Sequence, residues 1–148
     1  MTQIDVLTSS RLHQSYTRIR HRSGLTVCVL PKRAAVTYAV LGVNFGANDR
    51  IFADGADGGS RAILYTDAIP RGAYSVPAGT AHFLEHKLFE SEELDAFQRY
   101  AKTGASANAY TSFDKTCYLF SCTDNFEDSL EILFDFVQNP YFTEQTVQ

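Results

Sequence analysis

The sequence predicts an α+β fold in which helices pack on one face of a largely antiparallel sheet. Short runs of β-branched and aromatic residues open the chain, and segments with helical periodicity occupy its centre and end. The predicted order is β-β-β-α-α-β-β-α, which is not the strict alternation of a parallel sheet. With 148 residues, 45% hydrophobic and 20% charged, the chain has the length and composition of about one globular domain.

Three strands and a long loop are predicted before residue 79. Tyr16–His21 and Leu25–Leu30 indicate a hairpin around a Ser-Gly turn. Val36–Phe45 is apolar on both faces, so we expect it to be central in the sheet. Gly46–Ala78 is rich in Asp, Gly and Ala and predicts a flexible surface loop. Its segment Asp54–Gly59 lacks the late glutamate of an EF-hand and is not expected to bind calcium.

Two consecutive helices are predicted next. The first covers Gly79–Glu90, with Thr80 as its N-cap. The second begins at Ser91, where acidic residues fill the first turn, and it ends near Lys102, before Gly104.

The rest of the chain predicts a strand pair and a third helix. Ala107–Phe113 and Thr116–Cys122 indicate two strands joined by a short turn. Asn125–Val137 predicts an amphipathic helix that an Asn-Pro pair terminates, and Thr143–Gln148 indicates the start of another helix. The apolar stripe of the amphipathic helix consists of Phe126, Leu130, Leu133, Phe134 and Val137.

Charge and hydropathy argue against nucleic-acid and membrane partners. The net charge is −4 and the pI is about 5.5, whereas nucleic-acid-binding domains are usually basic. The most apolar stretch, Ala34–Ala47, is too short to span a bilayer, and Met1–Asp5 lacks the features of a secretory signal. Basic residues near the N-terminus fit a solvated hairpin edge better than a nucleic-acid or lipid patch: Arg11, His13, Arg18, Arg20, His21, Arg22, Lys32 and Arg33.

The cysteines predict a reducing environment. Cys28, Cys117 and Cys122 are odd in number and lack the spacing of metal ligands. They are therefore interpreted as buried, reduced thiols of a cytoplasmic protein. Cys117 and Cys122 are five residues apart, so on one strand they would point to opposite faces.

The segment His82-Phe83-Leu84-Glu85-His86 is the strongest candidate for chemistry. On a helix, His82 and His86 lie one turn apart, and with Glu85 they fall within an arc of about 100°. Two imidazoles on one face can bind a zinc ion, and a neighbouring carboxylate can act as general base towards the water that the metal acidifies. Phe83, Leu84, Leu88 and Phe89 are expected to anchor this helix and keep the site dry. The alternative is a pair of surface histidines on an amphipathic helix.

This motif, H-x-x-E-H, is that of the inverted zincins. The run from Thr80 to Phe89 resembles the insulinase/pitrilysin metallopeptidase family, which includes the mitochondrial processing peptidases. Gly104–Phe113 and Asn125–Thr143 are similar to the strand and helix segments that follow the catalytic helix in that family. The resemblance extends from about Val36 to the end of the chain.

The resemblance implies the α+β fold of an insulinase-type catalytic domain, peptide hydrolysis and a Zn²⁺ cofactor. His82 and His86 would be zinc ligands and Glu85 the catalytic base. Asn108, with the backbone of Ala107, Ala109 and Tyr110, would match the edge strand that binds an extended peptide. For Asn108 the alternative is a strand-end residue that hydrogen-bonds its own backbone.

The resemblance also implies parts that residues 1–148 do not supply. The family completes its zinc site with a glutamate on a later helix, which would follow Gln148. Acidic residues of the amphipathic helix are instead expected to form a solvated face: Glu127, Asp128, Glu131 and Asp135. A separate acidic run is expected to mark a helix start: Glu90, Glu92, Glu93 and Asp95. Residues 1–148 are therefore expected to be the N-terminal portion of a single catalytic domain, inactive by itself. A second homologous domain or a homologous partner chain would close the chamber around a peptide or small protein substrate.

Two functions follow from these observations. The first is a zinc-dependent endopeptidase with Glu85 as the general base. The alternative is a non-catalytic peptide-binding or partner subunit of an insulinase-type protease complex, and the intact motif favours the enzyme.

Overall fold

The computed structural model describes residues 1–54, 60–62, 69, 71–145 and 147. These residues form two compact units, Met1–Ala35 and Val36–Gln148. In chain order the elements are β1 (Gln3–Ser9), β2 (Gln14–Arg20), β3 (Thr26–Val29), β4 (Thr37–Val43), β5 (Ile51–Asp54), β6 (Ser60–Ala62), β7 (Ala73–Ser75), α1 (Thr80–Leu88), α2 (Ala96–Thr103), β8 (Ser106–Thr111), β9 (Thr116–Cys122) and α3 (Phe126–Gln138). The α+β class is confirmed.

The first unit is a three-stranded antiparallel sheet in the order β1-β2-β3. The predicted β2–β3 hairpin is confirmed, with Gly24 at φ 93° in its turn. Strand β1 was not predicted from the sequence. Two of the basic residues share one carboxylate, because Asp5 accepts hydrogen bonds from Arg18 at 3.1 Å and Arg20 at 2.9 Å. The hydrogen bonds from Gln3 and Arg18 lower the pKa of Asp5.

The main sheet of the second unit has the order β4-β9-β8, with both strand pairs antiparallel. The prediction that residues 36–45 form the central strand is wrong for the described sheet, because β9 occupies the centre and β4 an edge. The physical reason is burial. Strand β9 is buried at five of its seven positions, whereas Tyr38 and Val40 of β4 are 60% and 48% exposed.

The helices pack on one face of this sheet, as predicted. Phe120 from β9, Leu133 from α3 and Tyr100 from α2 are almost completely buried. Phe89, which follows α1, stacks on Phe136 with ring centroids 4.9 Å apart. The core comprises Phe89, Ala96, Tyr100, Tyr118, Phe120, Cys122, Ile132, Leu133 and Phe136.

The two predicted N-caps differ from those observed. Helix α1 starts after Gly79, whose φ is 87°, and the Thr80 hydroxyl donates to the carbonyl of Pro77 at 2.7 Å. Helix α2 starts after Asp95 and not at Ser91, since the Asp95 carboxylate accepts a hydrogen bond from the amide of Gln98 at 2.8 Å. The predicted end of α2 is confirmed, with Gly104 at φ 76°.

Helix α3 and the strand pair before it are confirmed within a residue or two. The buried side of α3 is rotated from the predicted stripe, because Ser129, Ile132 and Phe136 are buried together with Leu133. Phe126, a predicted member, is 37% exposed. Described residues after Pro140 contain a turn and no helix, and Thr146 and Gln148 lie outside the described part.

The range 46–78 is more structured than predicted. It contains β5, β6 and β7, which form an antiparallel sheet in the order β6-β5-β7. These strands were missed because each has only three or four residues. The rejected calcium-binding segment lies mostly at residues 55–59, outside the described part of the chain.

All three cysteines are free. Cys117 and Cys122 are buried, as predicted, but Cys28 is exposed, so the prediction of three buried thiols is wrong at that position. Cys28 lies on β3, opposite the charged Arg18 of β2 and not in an apolar core. None of the helices in the described ranges is long and apolar enough to cross a bilayer.

Candidate metal centre

Helix α1 brings the two predicted histidine ligands together. His82 and His86 are exposed, and their Nε2 atoms lie 3.0 Å apart with ring centroids at 4.7 Å. Two zinc–nitrogen bonds of about 2.0–2.1 Å at a tetrahedral angle would separate such atoms by about 3.3–3.4 Å. The pair therefore needs only a few tenths of an ångström of adjustment to share one ion. The donor set fits zinc, a metal that imidazole nitrogens bind well.

Glu85 lies on the same helix but in a different environment. Only 9% of the residue is exposed, and its Oε2 accepts a hydrogen bond of 2.6 Å from the Thr111 hydroxyl. Thr111 is the last residue of β8, so this bond links the helix to the sheet. Glu85 is thus a buried carboxylate next to two exposed imidazoles, and this position suits a proton acceptor better than a third metal ligand.

A third protein ligand does not come from the part of the chain that the structure describes. Within it, no three His, Cys, Asp or Glu side chains are placed to hold a metal ion together. Glu127, Asp128 and Glu131 lie exposed on α3. Asp135 binds Arg99 of α2, which together with Asn139 lowers the pKa of Asp135.

The expectation of a dry site is only partly met. Phe89 is buried and Leu84 and Leu88 are half-buried, but Phe83 is 44% exposed. In its place Ala81 and Lys87 are buried, and Lys87 forms an ion pair with Glu90. The prediction that Phe83 is buried is wrong, although Lys87, one turn further along the same side of α1, is buried. Both histidines are therefore open to solvent in the described part of the chain.

The predicted peptide-binding residues lie on a sheet edge. Strand β8 pairs with β9 and has no other neighbour among the described strands. Ala107 and Ala109 face the core, whereas Asn108 and Tyr110 are exposed on the opposite face. Asn108 is mid-strand, and its Oδ1 accepts a hydrogen bond from the Ala109 amide at 2.8 Å. The hydrogen bond with Cys117 raises the pKa of Tyr110.

Thr111 was not predicted from the sequence as a residue of the candidate site. A threonine in a run of strand residues carries no local signal, since its role depends on which helix packs against the strand. The strand itself was predicted correctly. What the sequence lacked was the position of α1 relative to the end of β8.

The candidate site thus combines an antiparallel sheet covered by helices with a histidine pair and a glutamate beside an edge strand. A comparison with protein families matches residues 73–148, just over half of the chain, to Insulinase (Peptidase family M16). The chain belongs to this family.

Individual relatives agree with the family. The chain is 49% identical over 130 residues to the "Uncharacterized zinc protease YmfH" of Bacillus subtilis, which covers 85% of this chain and 27% of that protein. It is 34% identical over 90 residues to the human mitochondrial-processing peptidase subunit beta, covering 57% of this chain and 18% of that protein.

A solved structure also matches. The crystal structure of a putative M16-like peptidase from Alicyclobacillus acidocaldarius superimposes with a TM-score of 0.70 at 35% identity, and the match covers 99% of this chain and 28% of that one. The chain thus spans about a quarter of the length of YmfH and of this peptidase.

Proposed function

We propose that this chain supplies two zinc ligands, His82 and His86, and the general base, Glu85, of a zinc-dependent endopeptidase. The observation that carries the proposal is the pair of Nε2 atoms 3.0 Å apart on the helix that also holds the buried Glu85. Membership of a peptidase family supports the same conclusion. When bound, zinc would polarise the scissile carbonyl and acidify a water molecule.

Glu85 takes the proton in this proposal. Its Oε2 is held by Thr111, so Oε1 is the oxygen that accepts a proton and later returns it to the leaving amine. Because Glu85 is buried on the side of the helix that faces β8, a peptide on β8 would lie beside this oxygen.

The peptide substrate would bind by strand addition. The free edge of β8 offers the backbone of residues 107–110, and main-chain hydrogen bonds there would align an extended peptide regardless of its sequence. The exposed side chains of Asn108 and Tyr110 stand next to this edge and would contact the peptide first.

We also propose that the third zinc ligand and the rest of the substrate chamber lie outside residues 1–148. The described residues hold no three-ligand cluster, while catalytic zinc sites normally have three protein ligands. The chain spans about a quarter of the length of the zinc protease YmfH, so a second homologous domain or a homologous partner chain has room to contribute.

A second candidate is a non-catalytic partner subunit. It is favoured by 34% identity over 102 residues to the ubiquinol-cytochrome-c reductase complex core protein I of Euglena gracilis, covering 65% of this chain and 21% of that protein. The name of that relative describes a component of a complex and not a protease. The intact His82-Glu85-His86 arrangement supports the peptidase over this candidate.

Zinc affinity at neutral pH tests the proposal. We expect one weakly held zinc per chain, because two imidazoles form an incomplete set. His82→Ala and His86→Ala should each lower the affinity by at least about tenfold, since losing even an outer-shell partner typically costs that much. Glu85→Gln should retain zinc, as it changes the base and not a ligand.

The matched control is His21→Ala, which removes an exposed histidine from the turn between β2 and β3. It should bind zinc like the unmodified chain. Equal affinities for the His82→Ala and His21→Ala chains would contradict the metal site and leave the partner-subunit candidate.

A further inference from the structure

The hydrogen bond between Thr111 and Glu85 joins residues that are 26 positions apart in the chain. Among the described residues, the Glu85 carboxylate accepts a side-chain hydrogen bond from the Thr111 hydroxyl and from no other group. At 2.6 Å the bond has the length of a charge-assisted O–H···O⁻ interaction, which is stronger than a bond between neutral groups. Among the residues that the structure describes, this hydroxyl therefore orients the carboxylate.

Thr111 is itself held in place from several sides. It pairs with Thr116 at the closed end of the β8–β9 hairpin, and the Ser112 amide donates to the Lys115 carbonyl at 2.8 Å across the turn. The amides of Ala47 and Asn48 also bind the turn, donating to the carbonyls of Ser112 and Phe113, each at 2.9 Å. A threonine has restricted χ1 freedom, so its hydroxyl position follows the backbone closely.

Glu85, unlike Thr111, has a flexible side chain. Its side chain has three rotatable bonds and extends from a helix, so without a partner its carboxylate would sample several rotamers. A carboxylate that accepts a proton must lie within hydrogen-bond reach of the group that loses it. A rigid donor on one oxygen provides this orientation and leaves the other oxygen free.

We propose that Thr111 is a positioning residue, whose hydroxyl fixes the Glu85 carboxylate relative to the histidine pair and ties it to the strand that would hold the peptide. The inference rests on the proposed function for Glu85 as the base. Thr111 itself touches neither the metal nor the peptide bond in this proposal. Its hydroxyl fixes the position of the Glu85 carboxylate relative to the free edge of β8.

The test measures the Glu85 side chain in the metal-free chain. Three-bond couplings to the labelled Glu85 side chain report its rotamer populations. We expect one dominant rotamer in the unmodified chain and averaging in Thr111→Val, which keeps the shape but removes the hydroxyl. A hydrogen bond to a charged group should change the population ratio by at least about tenfold. Thr111→Ser retains the hydroxyl and should restore the dominant rotamer.

Thr116→Val is the matched control. Thr116 is the residue paired with Thr111, and its hydroxyl donates to the Phe45 carbonyl at 2.8 Å and not to Glu85. This variant loosens the same hairpin and should leave the Glu85 rotamer unchanged. If Thr111→Val does not fold, Thr111→Ala compared with Thr111→Ser makes the same measurement.

An unchanged Glu85 rotamer in Thr111→Val, or averaging in Thr111→Ser to the same extent, would overturn the inference. So would equal averaging in Thr116→Val, which would make the effect a general loosening of the hairpin. The outcome is separate from that of the zinc measurement. Loss of the proposed metal site would leave the rotamer result standing, and an unordered Glu85 would leave zinc binding by the histidines intact.

Discussion

Gly46 lies directly against the backbone of Asp114, in the turn between β8 and β9. A Cβ atom at position 46 would stand 2.5 Å from the Asp114 amide nitrogen and 2.6 Å from the carbonyl carbon of Phe113. Real Cβ atoms essentially never approach other atoms this closely, and backbone atoms have little room to move away. The same turn closes the strand that carries Thr111. The absence of a side chain at Gly46 therefore helps to hold the candidate site together.

Gly46→Ala should destabilise the chain by about 2 to 3 kcal/mol, because the new methyl group must displace the turn backbone. Urea unfolding monitored by circular dichroism measures the loss. Gly42→Ala is the control, since a Cβ there would meet only the Cys117 sulfur at an ordinary 3.8 Å. Equal unfolding midpoints for the two variants would contradict the close approach.

Asp95→Ala should lower stability by about 1 kcal/mol, because it removes the acceptor for the Gln98 amide at the start of α2. Asp95→Asn keeps an acceptor oxygen and should remain near the unmodified chain. Thermal unfolding of both variants is the measurement. A loss of the same size in both would show that the charge, and not the cap, is what stabilises the helix.

Stability should fall between pH 10 and 12 because of Tyr118. Burial, and then the negative charge of Glu85, raise the pKa of Tyr118 from 10.0 to about 12. A group whose pKa is raised on folding stabilises fully below its unfolded value and loses that contribution as the pH passes the folded value. Below pH 10 the raised pKa of Tyr118 contributes about 2 to 3 kcal/mol to the free energy of unfolding.

Tyr118→Phe should therefore lose less stability than the unmodified chain between pH 9 and pH 12, as measured by urea unfolding at several pH values. Tyr38→Phe, at a position 60% exposed, should behave like the unmodified chain. If Tyr118→Phe follows the unmodified chain throughout this range, Tyr118 is not ionising on unfolding as proposed.

The Arg99–Asp135 pair predicts an effect at acid pH. Hydrogen bonds from Arg99 and Asn139 lower the pKa of Asp135 from its ordinary value of 3.8. A lowered pKa stabilises the fold above the unfolded value, and the effect disappears as the pH falls through the folded value. Both side chains are partly exposed, so the contribution should be below about 1 kcal/mol.

Asp135→Asn should thus be slightly less stable than the unmodified chain at pH 7, and the difference should shrink towards pH 2, as the pH falls below 3.8 and through the lowered pKa of Asp135. Unfolding free energies at the two pH values provide the comparison. A difference that persists unchanged at pH 2 would assign it to packing and not to the ion pair.

Patterns among neighbouring residues predicted much of the secondary structure. The β8–β9 hairpin, helix α3 and the end of α2 were all predicted correctly, because strand alternation, helical periodicity and a terminal glycine are written in neighbouring residues. The N-cap residues of α1 and α2 were not predicted correctly. Ser91 matches the N-cap pattern as well as Asp95 does. The choice between them depends on a tertiary contact, because the Ala96 amide donates to the Phe89 carbonyl at 2.9 Å.

By itself, the sequence determined that His82, Glu85 and His86 share one helical face, because three and four residues correspond to about one turn. It also determined the strand that carries Asn108 and Tyr110. Only the tertiary structure decided that β9 is the central strand of the described sheet, that Phe83 is exposed, and that Thr111 binds Glu85. These features depend on contacts between distant residues, and such contacts leave no local period in a single sequence.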